Sequence, residues 1–182
     1  MVKKHNIVAA YCRRLSAFGI AAVLAVAILF SSCNLSSDPF GKDHPIPEGM
    51  AFEIPLQEDA PVPGIDSLDV DSYLQLRNGI QGGIYLYGFS YPALSDGEVY
   101  LRCYEATESI ELSASRIKEA STVEVKNHTG FGPIVEGRQF TIYEGDWDDY
   151  YAARIEVWHK DAKTGEATKL MEKTYRVEGW MR

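Results

Sequence analysis

The chain has 182 residues with a formal net charge of −8, and 46% of the residues are hydrophobic. Residues 1–32 carry four basic and no acidic side chains, so the remaining 150 residues carry a formal charge of −12. Phosphate backbones are bound by clustered Lys and Arg, and so this acidic body excludes nucleic acid as a partner. Its length suffices for one domain with a hydrophobic core.

The N-terminus has the three parts of a secretory signal. Basic residues precede an apolar run over residues 17–30, and the small residues Ser31 and Ser32 follow it. A membrane-spanning helix needs roughly 20 apolar residues, and this run is shorter. The pattern therefore predicts an export signal over residues 1–32.

The signal ends Leu29-Phe30-Ser31-Ser32-Cys33. This ending resembles the lipobox of bacterial lipoproteins, in which the chain is cut just before a lipidated cysteine, although Phe30 stands where Leu is usual. The resemblance implies that Cys33 carries fatty acids, palmitate among them. An ordinary signal cut elsewhere, with Cys33 incidental, is the alternative. After cleavage Cys103 is the only other cysteine, so the mature chain has no intrachain disulfide.

Residues 33–64 are predicted to be a tether between the lipid and the domain. Six prolines in this stretch forbid a helix and favour extended chain. The alternative is a segment that packs on the domain, which the alternation of Phe52, Ile54 and Leu56 supports.

Residues 65–182 are predicted to form an antiparallel β-sandwich, immunoglobulin-like or similar, with one short helix. Short runs with period-2 alternation are typical of half-buried strands, and turn residues separate them. The helix is expected near residues 112–119 with Ser113 as its cap, and Gly165 is expected at a positive φ in a hairpin loop. The expected strands lie near residues 83–89, 99–104, 121–125, 140–143, 153–158 and 169–178.

The sequence offers no catalytic signature. Ser90 lies in a motif that begins like a nucleophile elbow, but Pro92 stands where the elbow needs glycine. Cys103 is expected on the apolar face of a strand, where burial makes a thiol unreactive. No two histidines have zinc-ligand spacing. We therefore expect neither an enzyme nor a cofactor.

A calcium site is the one metal hypothesis. Glu144, Asp146 and Asp148 place carboxylates at alternate positions around Gly145, and oxygen ligands of this kind suit Ca²⁺. Aspartate and glycine also favour tight turns for backbone reasons alone. A solvated loop without metal is therefore the preferred interpretation.

Aromatic side chains are the best candidates for ligand binding. If Val99, Leu101 and Cys103 face the core, alternation turns Tyr100 and Tyr104 outward, and the same parity turns Trp158 outward on its strand. Such rings could form a platform that stacks on sugar rings, with Trp147 joining from its loop. The alternative is cross-strand pairing that only stabilises the outer face, or a face covered by the proline-rich segment.

The signal, the lipobox-like ending and the β-rich body together resemble small envelope lipoproteins of Bacteroidota-type bacteria, some of which serve in glycan capture. The resemblance implies an outer-membrane location, facing either the periplasm or the exterior. It implies a binding role without catalysis, toward a glycan, a peptide or a partner protein. A structural or assembly lipoprotein is the alternative, and a small envelope hydrolase is a third.

Overall fold

Two antiparallel sheets with one short helix form the body of the chain, which confirms the predicted all-β sandwich. The computed structural model describes residues 44–61, 73–126 and 134–180, all within the unit Lys42–Arg182. The predicted signal and Cys33 lie outside the described residues. The elements are β1 Leu74–Asn78, β2 Ile84–Phe89, β3 Gly97–Glu105, α1 Ala114–Ser121, β4 Val123–Val125, β5 Val135–Thr141, β6 Tyr151–Asp161 and β7 Ala167–Val177.

The sheets have the strand orders β1-β2-β5 and β4-β3-β6-β7. Every pairing between these strands is antiparallel, and the longest run sets Leu101 opposite Val157 and Cys103 opposite Ile155. These four side chains are fully buried because the period of two turns them all to the same interior face. Burying each apolar side chain of this size contributes about 1.5–3 kcal/mol.

Tyrosine hydroxyls join the core to the backbone around it. Tyr87 stacks on Phe140 with ring centroids 5.7 Å apart, and its hydroxyl donates to the carbonyl of Ala120 at 3.0 Å. The Tyr175 hydroxyl, on the other sheet, donates to the carbonyl of Leu74 at 2.9 Å. A buried hydroxyl without a partner would be destabilising, and so these bonds let large polar-tipped rings fill the interior.

The two open sides of the sandwich are closed differently. Helix α1 closes the side beside β3, where Ile117 is fully buried and the Ser121 hydroxyl accepts the N–H of Leu101 at 2.8 Å. Beyond Val99 this edge of β3 has no β4 partner, because β4 pairs only with Gly97 to Val99. A helix side chain thus satisfies a strand backbone group.

Residues 53–56 close the opposite side. Glu53 donates its N–H to the carbonyl of Thr174 on β7 at 2.8 Å, and Leu56 donates to the carbonyl of Leu76 on β1 at 3.0 Å. This part of the predicted tether therefore packs on the domain, as the alternative held. Residues 53–56 belong to the same compact unit as the two sheets, Lys42–Arg182.

Two local predictions have different outcomes. Gly165 has φ 74° in the loop between β6 and β7, as expected. The predicted side-chain cap at Ser113 is wrong: this residue has φ 43° and makes no cap hydrogen bond. Its hydroxyl instead donates to Glu144 at 2.7 Å, because the loop after β5 brings that carboxylate alongside the start of α1.

Candidate functional site

The predicted platform lies on the outer face of the four-stranded sheet, but its first ring is covered. Tyr100 is directly opposite Trp158 in the β3–β6 register, and Tyr104 is opposite Arg154. Only 5% of Tyr100 is exposed, and the Lys118 ammonium of α1 lies 4.4 Å from the centre of its ring. The cation over this ring comes from helix α1.

Arginine side chains of the same sheet lie over the other two rings, Tyr104 and Trp158. The Arg102 guanidinium lies 5.1 Å from the Tyr104 ring centre and 5.4 Å from that of Trp158. The Arg154 guanidinium also lies over Tyr104, at 5.3 Å, and the Trp158 indole donates to Glu156 at 2.8 Å. Each cation–π contact contributes about 0.5–1 kcal/mol at an exposed site. This geometry favours cross-strand stabilisation over a sugar platform.

The three carboxylates of the calcium hypothesis do not converge. The Glu144 carboxylate accepts hydrogen bonds from the hydroxyl and the N–H of Ser113, at 2.7 and 3.0 Å. The exposed Asp146 and Asp148 remain in the loop, where Asp148 has φ 61° and donates its N–H to Glu178 at 2.8 Å. Within residues 44–61, 73–126 and 134–180, no group of three or more His, Cys, Asp and Glu side chains could hold a metal ion.

The two candidate nucleophiles, Ser90 and Cys103, are both buried. Ser90 is fully buried beside β2, and its N–H donates to the carbonyl of Tyr73 at 3.0 Å. Cys103 is 1% exposed, and burial raises the pKa of its thiol so far that it stays protonated at neutral pH. Neither side chain is accessible to a substrate.

Trp147 lies at one end of the sandwich, beside a cleft. The indole is 43% exposed, and a methyl group added at Gly82 would lie 2.9 Å from its Cδ1 atom. The cleft next to it has a volume of about 350 Å³. Its walls come from the segment 54–57, the turn 79–82 between β1 and β2, and the ends of β6 and β7. Residues lining it include Ile54, Gln81, Tyr150, Arg176 and Glu178.

The segments that line or adjoin this cleft also carry the exposed apolar side chains. In the described part of the chain, every exposed large hydrophobic residue belongs to segment 44–61, to the β1–β2 turn or to the loop 142–150. Ile80 is 78% exposed and Ile54 is 61% exposed, whereas single exposed residues scattered over a surface would need no explanation. We call this set the apolar rim; it comprises Phe52, Ile54, Leu56, Ile80, Trp147 and Tyr150.

Acidic residues predominate in the segments that carry the apolar rim. Segment 44–61 and loop 142–150 each carry four acidic residues and no Lys or Arg, and the turn 79–83 is uncharged. The nearest cation among the lining residues is Arg176, whose guanidinium lies 4.3 Å from the centre of the Tyr150 ring. The apolar surface is therefore framed by carboxylates.

A larger cleft of about 800 Å³ lies at the other end of β6, by the hairpin that leads to β7. One of its four acidic residues, Asp161, already accepts hydrogen bonds from Ser95, Lys163 and Thr164, and these bonds hold the pKa of the carboxyl well below its usual range. None of the exposed large hydrophobic residues in the described part of the chain lines it. The apolar rim is thus the better candidate for a binding region.

Of the predicted binding residues, the structure places only Trp147 in this region. Sequence reasoning missed Ile80, Ile54 and Tyr150. Ile80 did carry a signal, since it stands in Asn78-Gly79-Ile80-Gln81-Gly82-Gly83, a turn in which an isoleucine has no core to face. The other two come from segments far apart in sequence, and only the fold brings them together.

Comparison with protein-family models, with curated proteins and with solved structures finds no match for this chain. The described residues also contain no helix that is both long and apolar enough to cross a membrane. A functional assignment therefore depends on the sequence signal and on the geometry of the apolar rim.

Proposed function

We propose that this chain is a lipid-anchored binding protein of the bacterial outer membrane, without a catalytic role, and that the apolar rim is its binding region. The observation that carries the proposal is that the exposed large hydrophobic residues of the described chain belong to the three segments that line or adjoin the cleft. Contiguous exposed apolar surface on a soluble domain marks interaction sites. The ligand classes consistent with such a region are a partner protein or peptide and a glycan.

The anchor part of the proposal rests on the lipobox-like ending at Cys33 and is tested by metabolic labelling with a fatty acid. We expect wild type and Cys103→Ser to incorporate the label and Cys33→Ala to lose it. Label that persists in Cys33→Ala would remove the anchor from the proposal without affecting the binding region.

The binding part is tested by photo-cross-linking in living cells of the native host. A photoreactive residue placed at Ile80 samples the apolar rim, and one placed at Lys163, exposed in the hairpin at the other end of β6, is the matched control. We expect a discrete adduct from position 80 that is lost on adding Trp147→Ala, and none from position 163. Equal cross-linking from both positions, or none from position 80, would overturn the proposal.

A further inference from the structure

We infer that the partner of the apolar rim is a cationic peptide or protein segment that carries apolar side chains. The inference rests on the proposed function and names its ligand class. Three properties of the rim lead to this inference: the aliphatic nature of its most exposed side chains, the cation that lies over its Tyr150 ring, and the charge of the residues around it.

The most exposed members of the rim are aliphatic. Ile80 and Ile54, at 78% and 61% exposed, have no ring to stack on a sugar, and they gain most from contact with apolar side chains of a partner. Tyr150 has a ring, but the Arg176 guanidinium already lies over it at 4.3 Å. Trp147 and Phe52, at 43% and 40% exposed, remain as stacking surfaces, and the aliphatic side chains Ile54, Leu56 and Ile80 outnumber them.

The carboxylates around the rim define the charge of the partner. Glu53 is paired with Lys173 at 3.0 Å, and Glu144 is held by Ser113 at 2.7 Å. The other six acidic residues of the two segments are exposed, and none forms a salt bridge with another described residue. These six are Glu48, Glu58, Asp59, Asp146, Asp148 and Asp149.

A surface of this kind attracts Lys and Arg at its edge while its centre buries apolar side chains. Interfaces are commonly built in this way, with a hydrophobic centre and a polar rim of complementary charge. The same carboxylates repel uronic acids, sulfated sugars and phosphates, so an anionic glycan is disfavoured twice over.

The test uses the mature chain purified from the envelope and a bead-displayed library of random short peptides. Beads that bind wild type are counter-selected with Ile80→Ser, a substitution at a side chain 78% exposed that leaves the core untouched. We expect the surviving peptides to be enriched in Lys or Arg together with Leu, Ile, Phe or Trp. Circular dichroism checks that the variant is folded.

The affinity of one selected peptide then separates the two contributions. We expect Ile80→Ser to weaken binding about tenfold, since losing the contact of one buried aliphatic side chain is worth roughly this much. Raising the salt from about 0.1 M to about 1 M shortens the Debye length from about 10 to about 3 Å and should weaken it several-fold. Lys163→Ser, at the far hairpin, should leave the affinity unchanged.

Surviving peptides without a cationic bias, or an affinity indifferent to salt, would overturn the inference. So would neutral oligosaccharides on a glycan array that bind wild type and are lost in Ile80→Ser and Trp147→Ala. The proposed function fails separately, because its cross-linking from position 80 does not depend on the chemistry of the partner.

Discussion

Ser121→Ala tests how the free part of the β3 edge is held. The Ser121 hydroxyl is fully buried, accepts the Leu101 N–H at 2.8 Å and donates to the carbonyl of Ile117 at 2.7 Å. Alanine leaves the Leu101 N–H buried without an acceptor, and an unsatisfied group of this kind costs about 1–3 kcal/mol. The Ile117 carbonyl belongs to the helix itself, so losing the hydroxyl as its donor should add little to the loss of stability. We therefore expect the free energy of unfolding to fall by about 1–3 kcal/mol.

The matched control is Ser115→Ala in the same helix. Ser115 is exposed, so its substitution should change stability by no more than about 0.5 kcal/mol. Both variants share the slightly higher helix propensity of alanine, and so their difference isolates the buried bond.

The assay is urea unfolding followed by tryptophan fluorescence. The midpoint for Ser121→Ala should fall with an unchanged slope, and the melting temperature should drop by about 2–4 °C per kcal/mol for a chain of this size. A loss no larger than that of Ser115→Ala would refute the reasoning, because it would show that the hydroxyl does not hold this edge.

Three further predictions concern the core and the turns. Burial opposes the charge of Glu105, but hydrogen bonds from the loop after β3 outweigh this effect and hold the pKa of the carboxyl below its ordinary value. Wild type should therefore have its full stability advantage over Glu105→Gln above about pH 4.3, and this advantage should shrink as the pH falls through the folded pKa. Urea unfolding at neutral and at acid pH checks this prediction. Gly83→Ala should lower the free energy of unfolding by at least about 2 kcal/mol in the same assay, since φ is 76° and the new methyl would lie 2.3 Å from the Trp180 nitrogen. Gly49→Ala, at φ 83° with open space around it, should lower the free energy of unfolding only by the cost of the backbone strain. Cys103 should resist a thiol reagent until denaturant is added, and rapid labelling of the native protein would contradict its burial.

The strands could be predicted because their signal is local. Val99, Leu101 and Cys103 alternate with polar or aromatic neighbours, and period-2 alternation is enough to assign one face to the core. The strand β1 went unassigned because Leu74 and Leu76 are its only apolar positions. Two apolar residues are too few to stand out from loop sequence.

The alternation of side chains along a strand does not show what covers the face that points away from the core. Alternation predicts that Tyr100 faces away from the core, yet Lys118 of α1 lies over its ring. This contact depends on how the helix packs against the sheet. The apolar rim could be predicted only in part for the same reason. Trp147 is conspicuous in its loop, whereas its neighbour Ile54 reaches the cleft only through the backbone pairing of residues 53–56 with β7 and β1.

That pairing also constrains the order in which the chain folds. Residues 53–56 are made early, but one of their two partners, β7, is the last of the described strands to be made. The buried bond between Tyr175 and Leu74, which are 101 positions apart, has the same requirement. Contacts of such long sequence separation form late, because loop closure must come first. Residues 53–56 therefore pair with both sheets only after β7 has been made, and this closure is a late event in folding.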